Sequence, residues 1–285
     1  MLSMFEDNAN DNPYEDKNIG YEFERLTCKN DKLNLPKECK TAGLSIVAFP
    51  TDKHQIKQRP NMEADIIPRH SSSCIFNGKS GSGKSQLLVN LMTRPEFYGP
   101  INKKHYFDII YVFSPTANGG DDLIKFLKIP EKQIYTEFEP EDLDKIVNTQ
   151  KAFIEKNGLL KSPKILVIFE DIQSNKKFMN SKSFLKCFIM ARHLNISSFL
   201  MSQSWTRTPR ACRLQANNIF FFPGSKSEHK LLVDEFNPPR LSKVEFNQLI
   251  DHATDGSYNF LHINNRAKPE EKFRKNLDEM LKLKT

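Results

Sequence analysis

From residue 72 onward, short unbroken apolar runs alternate with longer stretches in which apolar residues recur every three or four positions. Runs of the first kind are strand length, and their continuous apolarity suits strands covered on both faces. They predict strands at 72–77, at 107–113 (closed by Ser114-Pro115), at 165–169, at 197–201, at 218–222 and at 258–263. Stretches of the second kind predict helices. One starts at Gln86 to Met92. Another runs from Pro140 to Lys156, with the proline near its first position and Gly158 as its stop. A third runs from Ser183 to Leu194, with Phe184, Leu185, Phe188 and Ile189 on one face. Strand and helix alternating in this way predict an α/β fold with a mainly parallel central sheet flanked by helices. Asn118 to Asp121 reads as a loop within it.

The two ends of the chain follow other patterns. Residues 1–43 are largely polar, rich in Asn and Asp and without periodicity, and read as an N-terminal arm or peripheral segment. A strand candidate at 44–49 and a proline-punctuated approach open the main domain, taken as 44–265. From Pro269 to Lys284 the residues Phe273, Leu277, Met280 and Leu281 form an apolar stripe, which predicts a charged C-terminal helix within 266–285.

Composition narrows the class. A 285-residue chain that is 38% hydrophobic can bury the core of one large α/β domain. No apolar run approaches the roughly 18–20 residues of a membrane span. The first 17 residues carry Glu6, Asp7, Asp11, Glu15 and Asp16 against Lys17, unlike a secretory leader. That stretch has a charge of −4, so the rest carries +11 of the net +7. A basic body suits a polyanionic partner such as nucleic acid, and equally a lysine-rich solvated surface. Five scattered cysteines without a C-x-x-C pair predict neither a zinc site nor a disulfide framework, and fit a reducing compartment.

The candidate chemistry sits at the ends of the predicted strands. Gly78, Lys79, Ser80, Gly81, Ser82, Gly83, Lys84 and Ser85 match the phosphate-binding loop G-x-x-x-x-G-K-[ST] in full. The loop lies between a strand and a helix, the context this motif requires. Its glycines let successive backbone N–H groups face one phosphate, and the following helix adds its N-terminal partial charge. Lys84 would then reach the β- and γ-phosphates of ATP, and Ser85 would ligate Mg²⁺. The apolar strand 165–169 runs into Glu170 and Asp171. The first acid would support Mg²⁺ and the second would orient the attacking water. Glu170 stands where Asp is usual, and its longer side chain leaves open an exchange of the two roles. At the end of the fourth strand, Gln203 would sense the γ-phosphate if that strand lies between the other two.

These motifs and their flanks resemble one family: the poxvirus-type DNA-packaging ATPases of large DNA viruses and virophages, within the FtsK–HerA superfamily. The matching text runs from Asn77 to Ser85, from Ile110 to Pro115, from Leu166 to Ile172 and from Ala191 to Ile196. It continues through Ser202–Ser204 to Pro209, Arg213 and Asn217. The stretch Arg192-His193-Leu194-Asn195, followed by a strand ending in Gln203, is its most specific part. The resemblance implies a P-loop NTPase of the additional-strand, RecA-like type. It implies an ATPase ring that moves double-stranded viral DNA, whatever its sequence, into a preformed capsid. Lys84, Ser85, Glu170, Asp171 and Gln203 would serve ATP and Mg²⁺. A neighbouring subunit would supply an arginine finger, with the family's Pro-x-x-x-Arg falling on Pro209 and Arg213, and Arg207 and Arg210 as alternatives. A capsid or portal-type viral protein would be its partner, and host cytoplasm or the virion its location.

Lys103, Lys104 and His105, or Lys176 and Lys177, are candidates to face DNA, against a reading as solvated surface. Arg192 and His193 end a predicted helix, where cations also favour the helix dipole. Two other classes compete. A P-loop nucleotide or polynucleotide kinase needs an Arg-rich lid, which is not evident. An ATP-binding assembly factor with weak hydrolysis is kept open by Glu170.

Overall fold

The computed structural model describes residues 39–41, 44–46, 66–101, 105–117 and 122–281. The polar arm up to residue 38, Lys103, Lys104 and the Asn118–Asp121 loop lie outside the described residues. The chain divides into two units, Met1–Lys53 and His54–Thr285. In the first, β1 (Cys39–Thr41) and β2 (Leu44–Ile46) pair antiparallel.

The second unit begins its regular structure with β3 (Ser73–Asn77), α1 (Lys84–Thr93), β4 (Ile109–Phe113), α2 (Asp122–Leu127) and β5 (Ile134–Tyr135). It continues with α3 (Pro140–Asn157), β6 (Ile165–Glu170), α4 (Lys176–Met179), α5 (Lys182–Ile189), α6 (Ala191–Leu194) and β7 (Ile196–Ser202). Then come α7 (Arg210–Gln215), β8 (Asn218–Phe221), α8 (Lys226–Phe236), α9 (Lys243–Thr254), β9 (Leu261–Asn264), β10 (Phe273–Lys275) and β11 (Glu279–Met280). One nine-stranded sheet has the order β11-β10-β9-β8-β3-β7-β6-β4-β5. The strands from β8 to β5 in that order are parallel, and β9, β10 and β11 add on antiparallel. β7 therefore lies between the loop-bearing β3 and the acid-bearing β6, pairing Asn77 with Ser202 and Glu170 with Met201.

Strand alternation divides the core between the two faces of the sheet. Ile165, Val167 and Phe169 join one apolar cluster with Leu143, Phe184 and Phe188 of α3 and α5. Leu166 and Ile168 join another with Leu88, Leu91 and Met92 of α1. Each such buried side chain contributes roughly 1.5–3 kcal/mol against exposure, which is why β6 needs an unbroken apolar run. α3 starts at a capping box made by Glu139 and Asp142.

Two expectations change. The predicted helix from Ser183 to Leu194 is two pieces, α5 and α6, separated at Met190 (φ −109°, ψ 14°), with Asn195 in the left-handed region ending the second. The predicted C-terminal helix is a hairpin, β10 and β11, turning at Asn276 (φ 57°). A helical stripe would turn its apolar residues to one side. Here Phe273 and Leu281 enter the core of one face while Leu277 packs against the core of the other. The open edge of β9 supplies a ladder of backbone partners to Phe273–Lys275, and that pairing overrides the local helical spacing.

Candidate nucleotide site

Parallel strands end together, so the segments following β3, β6, β7 and β4 meet along one edge of the sheet. The phosphate-loop candidate is tied to that edge at its start, where the Gly78 N–H donates to the Ser202 carbonyl at 3.0 Å. Gly81 and Gly83 have φ of +74° and +103°, which side chains rarely adopt. α1 begins at Lys84 directly after Gly83, so its unpaired N–H groups face the loop.

Lys84 is buried, and its Nζ donates to the carbonyls of Gly78 at 2.6 Å and Lys79 at 2.8 Å. Burial lowers its pKa from the ordinary lysine value, while Asp171 and Glu170 act to raise it. The Ser85 hydroxyl donates to Glu170 Oε1 at 3.4 Å. Asp171 leaves the strand in the left-handed region (φ 50°). Its Oδ1 accepts from Gln203 Nε2 at 2.5 Å and its Oδ2 from the Thr116 hydroxyl at 3.4 Å. The two acids are thereby separated: Glu170 goes with the serine, Asp171 with the glutamine. Ser80 to Gln86, Glu170, Asp171, Met201 and Gln203 line a cleft of about 260 Å³. A hydroxyl and a carboxylate oxygen facing each other form the hard-oxygen set that suits Mg²⁺.

Two contributors have no strong sequence signal. Thr116 follows the end of β4 and reaches Asp171. Gln173, in the turn after β6, donates from Nε2 to the Ser202 hydroxyl at 2.5 Å and to the Ser204 carbonyl at 3.0 Å. Its Oε1 accepts from the Gln203 N–H at 3.3 Å. Gln173 thus holds the backbone of the segment that carries Gln203. Only the adjacency of β4, β6 and β7 brings these groups together.

Arg213 is placed differently from expectation. It is 6% exposed, and it forms a two-pronged ion pair with Glu235 of α8, at 2.8 Å through Nε and 2.6 Å through a terminal nitrogen. It also donates to the carbonyls of Thr208 and Trp205. A guanidinium so engaged is tied to its own chain at every nitrogen that these bonds use. Arg207 and Arg210 on the same segment are exposed. Trp205 is fully buried beneath that segment. Lys176 and Lys177 are exposed, and Lys177 pairs with Glu139 at 2.7 Å.

The Poxvirus A32 protein family matches residues 63–249. The uncharacterized protein 015R of Frog virus 3 is 27% identical over 166 residues, covering 58% of this chain and 48% of that protein. The chain thus matches about half the length of that relative. Two solved structures share the fold. The genome packaging NTPase B204 of Sulfolobus turreted icosahedral virus 2, in complex with AMP, has a TM-score of 0.50 at 16% identity. The DNA-packaging ATPase B204 of Sulfolobus turreted icosahedral virus has a TM-score of 0.51 at 17% identity. Each likeness covers 72% of this chain and 96% of the other.

Proposed function

The chain belongs to the Poxvirus A32 protein family, and on that premise we propose that it hydrolyses ATP to drive viral double-stranded DNA into a preformed capsid. The observation that carries this reading is the convergence of Lys84, Ser85, Glu170, Asp171 and Gln203 on one cleft at the end of a parallel sheet. The two B204 proteins, which share the fold, are described as a genome packaging NTPase and a DNA-packaging ATPase.

The residues divide the work. Backbone N–H groups of the loop and the start of α1 receive the phosphates of ATP. Lys84 exchanges the carbonyls of Gly78 and Lys79 for β- and γ-phosphate oxygens, which match its charge better. Ser85 and Glu170 would hold Mg²⁺, which would offset the negative charge of the transferring phosphate. Asp171, steadied by Gln203 and Thr116, orients the attacking water and accepts its proton. Gln203 touches both this acid and, through its backbone, Gln173. A change at the γ-phosphate is therefore passed to residues 203–209, where Arg207 lies.

Exposed Arg207 or Arg210 serves the site of an adjacent copy, which makes a homo-oligomeric ring the working form. Contacts to duplex DNA are with phosphates and so independent of sequence. A capsid or portal-type viral protein receives the ring, and host cytoplasm is the place of action. Among the described residues no helix is long and apolar enough to cross a membrane.

Steady-state ATP hydrolysis with and without long duplex DNA tests the reading. Lys84→Ala and the double variant Arg207→Ala/Arg210→Ala should each lose the DNA-stimulated rate, the latter by about 10³-fold or more. Mixing the two variants should restore part of it, because each supplies what the other lacks across an interface. Hydrolysis indifferent to DNA would return the protein to the kinase or assembly-factor class.

A further inference from the structure

The end of the sheet opposite the nucleotide cleft carries a cluster of cations that the ATPase chemistry does not use. Parallel β3, β6 and β7 begin there, and antiparallel β9 finishes there. Arg69 precedes β3, Lys164 precedes β6, Arg192 precedes β7 and Arg266 follows β9.

Lys164, Arg192 and Arg266 connect to one buried node, His70-Ser71, which Arg69 directly precedes in the chain. His70 is 5% exposed; its Nε2 lies 2.7 Å from Asn195 Oδ1 and its Nδ1 2.7 Å from the Ser197 hydroxyl. Asn195 donates onward to the carbonyls of Ser162 and Pro163, so it presents its oxygen to the ring and the histidine Nε2–H donates to it. Asn195 also ends the short α6 that carries Arg192. Arg266 donates to the Ser71 carbonyl at 3.1 Å. Lys164 lies with its Nζ 4.7 Å above the Tyr106 ring, and that ring meets His70 edge-on. The nearby carboxylate, Asp108, accepts the Lys164 backbone N–H at 2.8 Å. Burial of its inner part, then the charges of Arg192 and Arg69, lower the pKa of Arg266.

From this convergence we propose that Arg69, Lys164, Arg192 and Arg266 form a docking surface for the phosphate backbone of double-stranded DNA. The assignment rests on the DNA-translocation reading above and says where on the protein the duplex is held. Arg69, Arg192 and Arg266 are exposed, and their planar forks match phosphate oxygens. They stand on strand-entry turns fixed by a buried hydrogen-bonded node, so little order is lost on contact. The exposed large aromatics among the described residues, Phe126, Phe153 and Tyr258, sit on α2, on α3 and before β9. The cluster therefore offers cations without stacking platforms, which fits a duplex exterior better than unpaired bases. Its place away from the cleft lets DNA and ATP bind together. It also gives the Arg192–Asn195 motif a joint role: Asn195 sets the turn and Arg192 uses it.

The test is binding of a random-sequence duplex, followed by fluorescence anisotropy across a range of KCl concentrations, with an ATP analogue present. The double variant Arg192→Gln/Arg266→Gln should bind about tenfold or more weakly at moderate salt, whatever the sequence. Its slope of log K against log salt should fall by about 1.8, close to 0.9 for each lost phosphate contact. Arg192→Gln alone, at an exposed position, should lower the slope by about 0.9. ATP hydrolysis without DNA should be unchanged in both. A control pair on the exposed face of α3, Lys151→Gln/Lys156→Gln, should leave the slope as in the wild type. Unchanged slopes in the arginine variants, or an equal loss in the control pair, overturn the docking surface while leaving the motor intact. A wild-type protein that binds no duplex at all overturns the translocation reading itself.

Discussion

The two ends of the central sheet use similar polar residues in opposite ways. At the nucleotide end the contacts include long bonds on exposed groups: Ser85 to Glu170 and Thr116 to Asp171 are both 3.4 Å. At the other end several are short and buried. His70 reaches Asn195 and Ser197 at 2.7 Å, and Asn195 reaches Ser162 and Pro163 at 3.0 Å. The Ser73 hydroxyl donates to the Gln215 carbonyl at 2.9 Å. Inside the protein, a polar group without a partner costs about 1–3 kcal/mol, and His70, Asn195 and Ser197 at this end are partnered within the chain. The exposed end keeps donors and acceptors available for a ligand. One arrangement holds the strands in place, and the other is completed by what binds.

Arg213 is the sharpest probe of where the closed arrangement extends. It supports the segment behind Gln203, so Arg213→Ala should destabilise the protein by about 3–5 kcal/mol by leaving Glu235 buried without its partner. Denaturant unfolding reads this directly. A variant of unchanged stability that has lost only DNA-stimulated turnover would move Arg213 to the open end as a finger.

Lys84→Ala should do the reverse. Turnover should fall by about 10²–10³-fold while the melting temperature stays near that of the wild type. A large loss of stability would mean that the lysine closes the loop as His70 closes the opposite end.

Acid should act on the closed parts first. Burial lowers the pKa of His70 to about 4 and that of His262, in β9, to about 3. In the unfolded chain both titrate near 6.5, so the unfolded state takes up protons first as the pH falls. The stability they support is full above about pH 6.5 and is lost progressively toward pH 4, by at most about 1.4 kcal/mol per pH unit for each histidine. Thermal melts should be level from pH 8 to 7 and fall below 6.5. Melts that stay level down to pH 5 would contradict the buried neutral state of both rings.

The smallest effect expected is that of Gln173→Ala. It frees the backbone of Gln203 without touching the phosphates, so kcat should drop about tenfold with KM for ATP little changed. A matching rise in KM would place Gln173 among the nucleotide contacts instead.

Much of this was legible beforehand for a definite reason. A strand buried on both faces must be apolar throughout, so β6 announces itself, and with it the two acids at its end. The glycine pattern of 78–85 is equally plain, because the backbone needs left-handed positions that other residues avoid. The spacing Pro209 to Arg213 told where an arginine stands but not that Glu235, 22 residues later, would meet it. Phe273, Leu277, Met280 and Leu281 repeat as a helix does, yet an unpaired edge of β9 draws them into a hairpin that sends them to opposite faces. Thr116 and Gln173 are ordinary polar residues until β4, β6 and β7 lie side by side.

By itself, the sequence determined the alternation of strands and helices, the phosphate loop and the acidic strand end, since each depends on local backbone freedom or continuous burial. The tertiary structure alone decided the order of the strands, which acid faces Ser85 and which faces Gln203, the fate of Arg213, and the meeting of Arg69, Lys164, Arg192 and Arg266. Each of these depends on which distant segments become neighbours. That is settled by the packing of the whole sheet, and no local pattern encodes it.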